Sequence, residues 1–235
     1  MFNIIALPVL NDNYIWIVHD EKQAIVVDPG EASTVLNYLQ QHALYLSGIL
    51  ITHQHADHIG GVATLLTHYT APVYGPADIS LVTHPVQDNA QFFLASWPHS
   101  IKVLAVPGHT LNHLAYYTEN ALFCGDTLFG CGCGRLFEGT PQMMYDSLQR
   151  LVTLPDDTQV YCAHEYTLAN EDFALHIEPD NHALISRKQH DHALRQQGLP
   201  TLPSTIALEK ATNPFIRAPD VATFSVLRQA KDRYI

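Results

Sequence analysis

The stretch ITHQHADHIGG, residues 51–61, puts three histidines and an aspartate into the six positions His53 to His58. It follows directly on the apolar run GILIT, so a buried strand ends where a cluster of lone pairs begins. Strand ends on one rim of a sheet are where loops converge to make a site. Other strand-like runs end in the same way. VLAVPG leads to His109, LFCG to Asp126 and VYCA to His164.

Imidazole and carboxylate donors suit zinc, iron or manganese. In an extended loop, side chains at i and i+2 leave on one side, so His53 and His55 can reach one ion. Asp57 and His58 fall where a helix begins and can face a second. With His109, Asp126 and His164 there are seven candidate ligands. That is too many for one tetrahedral ion and suits two, with Asp126 between them. Two ions ~3.5–4 Å apart can hold a bridging hydroxide and polarise a carbonyl. Asp57 and Asp126 are the candidate catalytic carboxylates. Asp28, before Pro-Gly, reads equally as a ligand-orienting group or a turn residue. His113 is left open between a structural role and support of the site, and the remaining histidines read as ordinary.

The rest of the chain supplies the scaffold. NIIALPVL, YIWIVH and AIVVD are short β runs separated by turn residues, and STVLNYLQQHAL has helical spacing. LSGILIT, APVYG, IKVLAVPG, LAYYT, ALFCG and TQVYCAHE continue as strands, with GGVATLLTHY a helix. Strands alternating with helices predict an α/β (α+β) layered sandwich over residues 1–165. Residues 166–235 are strand-poor and helical in period, and form a small second domain. Within them PTLPSTIALEKATNPFIR, broken by prolines, reads as an irregular crossing segment, and VATFSVLRQAKDRYI as a terminal helix.

Apolar residues make up 47% of the 235, enough for a sizeable core, and no window is long and apolar enough to span a membrane. The N-terminus has neither a basic leader nor a cleavage pattern, which predicts a cytoplasmic protein. The four cysteines, Cys124, Cys131, Cys133 and Cys162, read as reduced thiols, with a soft-metal site on Cys131 and Cys133 as the alternative. A formal net charge of −11 disfavours nucleic acid and anionic membranes as partners. A monomer is expected.

The motif THQHADH is the signature T-H-x-H-x-D-H of the metallo-β-lactamase superfamily, and PGHT, GDTLF and CAHEY fall in matching order. GDTLFGCGCGRLFEGTPQMMYDSL, HEYTLANEDFA and NPFIR further resemble glyoxalase II, the hydroxyacylglutathione hydrolases, over essentially the whole chain. The resemblance implies an αββα sandwich followed by a small helical domain that helps hold glutathione. It implies a binuclear centre, commonly of zinc, with iron and manganese also found. His53, His55 and His109 would bind one ion, Asp57, His58 and His164 the other, and Asp126 would bridge. The substrate would be a small-molecule S-(2-hydroxyacyl)glutathione, chiefly S-D-lactoylglutathione, in the second step of methylglyoxal removal. Arg135, Tyr166 and Arg217 match glutathione contacts of the family. Phe137 stands where some members carry tyrosine, and Asp220 where some carry lysine; Lys231 or Arg228 could supply the missing cation. The competing readings are a lactamase or RNase Z-type nuclease of the same superfamily, a mononuclear-iron persulfide dioxygenase, and a non-catalytic module. The intact ligand set and the acidic surface weigh against them.

Overall fold

The computed structural model describes residues 2–94, 97 and 99–234. By internal contacts these divide into two compact units, residues 2–105 with Asn112–Glu119, and Val106–Leu111 with residues 120–234.

The first unit opens with strands β1 (Asn3–Val9), β2 (Asn13–His19) and β3 (Gln23–Val27), then helix α1 (Ser33–Gln41) and strand β4 (Tyr45–Leu50). Two short helices, α2 (Ala56–Ile59) and α3 (Val62–His68), precede β5 (Val73–Gly75), β6 (His84–Pro85), β7 (Gln91–Phe92), β8 (Ile101–Ala105) and β9 (Leu114–Thr118). The sheet runs β1-β2-β3-β4-β5-β6. The first three strands are antiparallel neighbours, and β3 through β6 are parallel. Every residue of β2 is buried, as its unbroken apolar run demands of a strand covered on both faces. Ile15 and Ile17 from β2, Val26 from β3 and Ile49 from β4 meet Val35 and Leu39 of α1 and Val62 and Leu65 of α3 in one core. Val35 and Leu39 are one helical turn apart, so α1 turns a single stripe to the sheet. Each such side chain contributes roughly 1.5–3 kcal/mol on burial. Tyr116 of β9 donates its hydroxyl to the Ile51 carbonyl at 2.6 Å, and the Leu114 amide donates to Thr52 O at 2.9 Å. Both bonds fix the chain just beyond the end of β4.

The second unit holds β10 (Ala121–Gly125), the hairpin β11 (Leu128–Phe129) and β12 (Gly132–Cys133), helix α4 (Pro141–Leu151), and β13 (Gln159–Cys162) parallel to β10. Helices α5 (Thr167–Ile177) and α6 (His182–Gln196) follow, then β14 (Ser204–Thr205) antiparallel to β13, and α7 (Ile206–Thr212), α8 (Pro214–Arg217) and α9 (Val221–Arg233). In its core Phe173 stacks on Phe215, and Phe224 meets Phe215 edge-on. The segment expected to be irregular is instead largely helical. Thr205 caps α7 by accepting from the Leu208 amide, and Asn213 caps α8 by accepting from the Phe215 amide. Each cap restarts a helix between prolines. Asp220, standing where the resemblance places a lysine, caps α9 by accepting from the Thr223 amide at 2.8 Å.

Candidate metal centre and substrate rim

The first unit builds its half of the ligand set beyond the end of β4. Asp28 is buried and held at a positive φ of 51°. Its Oδ1 accepts from the Thr52 amide at 2.8 Å and its Oδ2 from the Thr52 hydroxyl at 2.7 Å. His58 Nδ1 lies 2.9 Å from the same Oδ2. A carboxylate can only accept, so Nδ1 carries the hydrogen and the lone pair of His58 sits on Nε2. The same logic runs through Thr52. Its hydroxyl hydrogen points at Asp28, so its oxygen accepts from His53 Nδ1, 3.0 Å away, and His53 also offers Nε2. That Nε2 is 3.1 Å from His55 Nδ1, the spacing of two nitrogens aimed at one ion. Asp57 Oδ2 lies 3.5 Å from His58 Nε2 and accepts from Asn13 Nδ2 at 3.0 Å. His113 is fully buried and stacks on the His53 ring at 4.6 Å.

Backbone packing holds this loop. A Cβ on Gly30 would lie 1.9 Å from the Asp57 carbonyl oxygen, and one on Gly60 would lie 2.5 Å from Gly30 O. The Gly61 amide donates to Pro29 O at 2.8 Å. The turn after β3 and the ligand loop thus interlock, main chain on main chain, which only glycine permits.

The second unit carries the other three. His109 Nδ1 donates to the Arg135 carbonyl at 2.9 Å, which again leaves Nε2 for a ligand. Asp126, almost fully buried, turns its two oxygens to different imidazoles. Oδ2 is 3.3 Å from His109 Nε2, and Oδ1 is 3.4 Å from His164 Nε2. A carboxylate shared between two ions presents its oxygens in this way. All seven predicted ligands, and no others among the described residues, belong to the groups of His, Cys, Asp or Glu that could hold a metal ion. The donor set and its anchored tautomers fit zinc and other borderline divalent ions. Cysteine plays no part. Burial pushes the thiols of Cys131 and Cys133 up, Cys131 Sγ is spent on Thr212 Oγ1, and Cys133 Sγ on the Arg228 guanidinium. Among the described residues no cysteine belongs to a group that could hold a metal ion, which weighs against the soft-metal alternative.

Beside these ligands lies a rim of aromatics and cations. The exposed Phe137 ring meets the His109 ring edge-on at 5.1 Å, and Tyr166 stacks flat on His164 at 4.7 Å. Arg135 is 66% exposed, with Nε 3.8 Å from Asp232 Oδ1. Lys231 donates to Ala169 O at 2.8 Å and lies over the Phe173 ring. Burial first, then the Arg228 and Arg135 charges nearby, hold its ammonium below the ordinary lysine range. Cations gathered in this way make a place for an anion. Arg228 itself is buried and donates to Cys133 O at 2.8 Å, a role the sequence did not single out. Arg217 is engaged apart from this group: its Nε donates to both carboxylate oxygens of Glu178, at 3.1 and 3.2 Å. No helix among the described residues is long and apolar enough to cross a membrane.

Comparison with known proteins gives a consistent result. The family model described as Metallo-beta-lactamase superfamily matches residues 8–164, and that described as Hydroxyacylglutathione hydrolase C-terminus matches residues 165–234. The chain is 50% identical to a hydroxyacylglutathione hydrolase of Nitrosomonas europaea, over 92% of this chain and 84% of the relative. It is 52% identical to one of Shewanella baltica, over 97% and 90%. Among solved structures it is similar to ETHE1 from Myxococcus xanthus, 28% identical, with a TM-score of 0.73 over 97% of this chain and 90% of the other.

Proposed function

The chain belongs to the metallo-β-lactamase superfamily and, within it, to the hydroxyacylglutathione hydrolases, and on that footing we propose how its residues hydrolyse S-(2-hydroxyacyl)glutathione thioesters. The substrate is S-D-lactoylglutathione first of all, and the products are glutathione and D-lactate. The observation that carries the reading is Asp126, whose two oxygens face the Nε2 atoms of His109 and His164.

In this reading residues 1–165 carry the chemistry and residues 166–235 hold the glutathione. His53, His55 and His109 hold one divalent ion, Asp57, His58 and His164 a second, and Asp126 is shared. Zinc fits best, with iron or manganese compatible. Bound ions supply a water-derived nucleophile at neutral pH and polarise the thioester carbonyl. The chain's own part is to fix the donors. Asp28, Thr52 and the Arg135 carbonyl lock three imidazoles in the tautomer that offers Nε2. Asn13 holds Asp57. The leaving thiolate is stable enough to depart without a strong general acid. Arg135 and Lys231 take the carboxylates of the tripeptide, a planar guanidinium and an ammonium serving one anionic partner. Tyr166 and Phe137 bracket it with their rings. Arg217 would have to release Glu178 to take part. Because the whole chain carries −11, the basic group on and beside α9 sets where an anionic substrate settles. Four buried cysteines outside any disulfide suit an enzyme of the reducing cytoplasm, which we take as a monomer.

The deciding experiment is turnover of S-D-lactoylglutathione by purified protein, with metal content measured on the same sample. Hydrolysis with two ions per chain, lost on chelation and restored by zinc, is expected. Two bound ions without turnover would discard the substrate and turn attention to other thioesters and lactams.

A further inference from the structure

The second unit buries a set of charges that hydrolysis does not use. Arg187 of α6, 2% exposed, is the guanidinium of this set, and three carboxyl groups face it: Glu171 of α5, Asp191 of α6 and Glu209 of α7. Glu209 is saturated. It accepts from Arg187 Nη1 at 2.8 Å, Ser204 Oγ at 2.5 Å, the Cys131 amide at 3.0 Å and Asn213 Nδ2 at 3.0 Å. Asp191 accepts from Arg187 Nε at 3.3 Å. Glu171 fares worst. Its side chain is fully buried, Arg187 Nε stays 3.7 Å away, and neither oxygen has a donor within hydrogen-bond reach among the described residues. The groups around it are Arg187, Lys188 and Asp191 from α6, Glu209 from α7 and Cys131 from the β11–β12 turn. From α9, Lys231 and Tyr234 reach α5 at the carbonyls of Ala169 and Asp172. Lys188, a second cation close by, is paired with Asp172.

Three ionised carboxylates against one guanidinium would leave two uncompensated negative charges in a dry interior, a cost of several kcal/mol per ion in general. A proton removes most of that and gives Glu171 a hydrogen to donate to the Asp191 carboxylate beside it. We propose that Glu171 is protonated at neutral pH and donates to Asp191, and that this proton fastens α5 to α6 as a pH-sensitive clasp. Burial first, then the Asp191 carboxyl beside it, push the Glu171 carboxyl up to about 8 from its ordinary 4.5. The unfolded chain releases that proton near 4.5, and the folded chain keeps it until about 8. Between those values the folded state binds more protons. Stability from the clasp is therefore complete below the lower value and drains away as pH rises through the upper one.

The test is urea unfolding of the full-length protein from pH 6 to pH 9, followed by circular dichroism, for the natural chain and Glu171→Gln. Glutamine keeps the shape and donates to Asp191 at any pH. The unfolding constant of the natural chain should rise roughly tenfold or more over this range relative to that of the variant. Parallel curves for the two proteins would overturn the proposal. Infrared spectroscopy of the natural chain provides a readout that does not depend on the variant folding. The carbonyl stretch of a protonated side-chain carboxyl should be present at pH 7 and fade towards pH 10, and its absence at pH 7 would equally overturn the clasp.

Discussion

Asp28→Asn isolates how the ligand tautomers are set. Asparagine is the fairest replacement, since φ is 51° there and asparagine tolerates that region better than most side chains. The Thr52 amide at 2.8 Å fixes the carbonyl oxygen of the new amide on the Oδ1 side. Its NH2 then falls on the Oδ2 side, facing the Thr52 hydroxyl and His58 Nδ1, which lie 2.7 and 2.9 Å from that oxygen now. Two N–H donors cannot face each other, so His58 must move its hydrogen to Nε2 and lose its ligand lone pair, or break the contact. Removing such an orienting partner lowers metal affinity 10–100-fold in general, about 1.4–2.7 kcal/mol. Exchanging charge-assisted bonds for neutral ones should cost the metal-free fold roughly 1–2 kcal/mol more. Competition against a chromophoric chelator, with metal counted after dialysis, should show the ion assigned to His58 lost first and activity falling with it. Both ions kept at natural affinity would mean that Asp28 is only a turn residue and that the tautomer argument is wrong.

Asp126→Ala should lose both bound metal and activity, measured by elemental analysis and thioester hydrolysis; two ions at full rate would dismiss its shared role. Lys231→Met keeps the packing on Phe173 but removes the charge, so KM for the glutathione thioester should rise about tenfold with kcat nearly unchanged. An unaltered KM would remove Lys231 from the substrate site. Gly30→Ala sets a methyl against Asp57 O at 1.9 Å and should destabilise the fold by roughly 3 kcal/mol or more, read from urea melts.

The candidate ligands were legible because His53, His109, Asp126 and His164 each follow an apolar strand run, and such a run marks both the strand and its end. The carboxylate that orients them was harder. Asp28 looks like any Asp-Pro-Gly turn, and its link to Thr52 and His58 spans 24 and 30 residues, a distance no local pattern reports. The bond from Asn13 to Asp57 is hidden in the same way, since it spans 44 residues. Helix α4 went unread although Thr140 and Pro141 form a regular helix start, with Met143 N donating to the Thr140 hydroxyl. In the tail, prolines at 200, 203 and 214 suggested irregularity, while the capping residues Thr205 and Asn213 carried the opposite and correct message. Arg217 matched a motif, but only three dimensions show Glu178 holding it.

The interlock of Gly30 and Gly60 with the ligand loop has a kinetic meaning. A loop clamped main chain to main chain has few conformations to lose when an ion arrives, so little of the binding free energy goes into ordering it. The same clamp denies the loop the swing by which donors would let go one after another. Ions should therefore exchange slowly, and the population of metals in the enzyme should record which ion was abundant when the chain folded more than which is abundant afterwards.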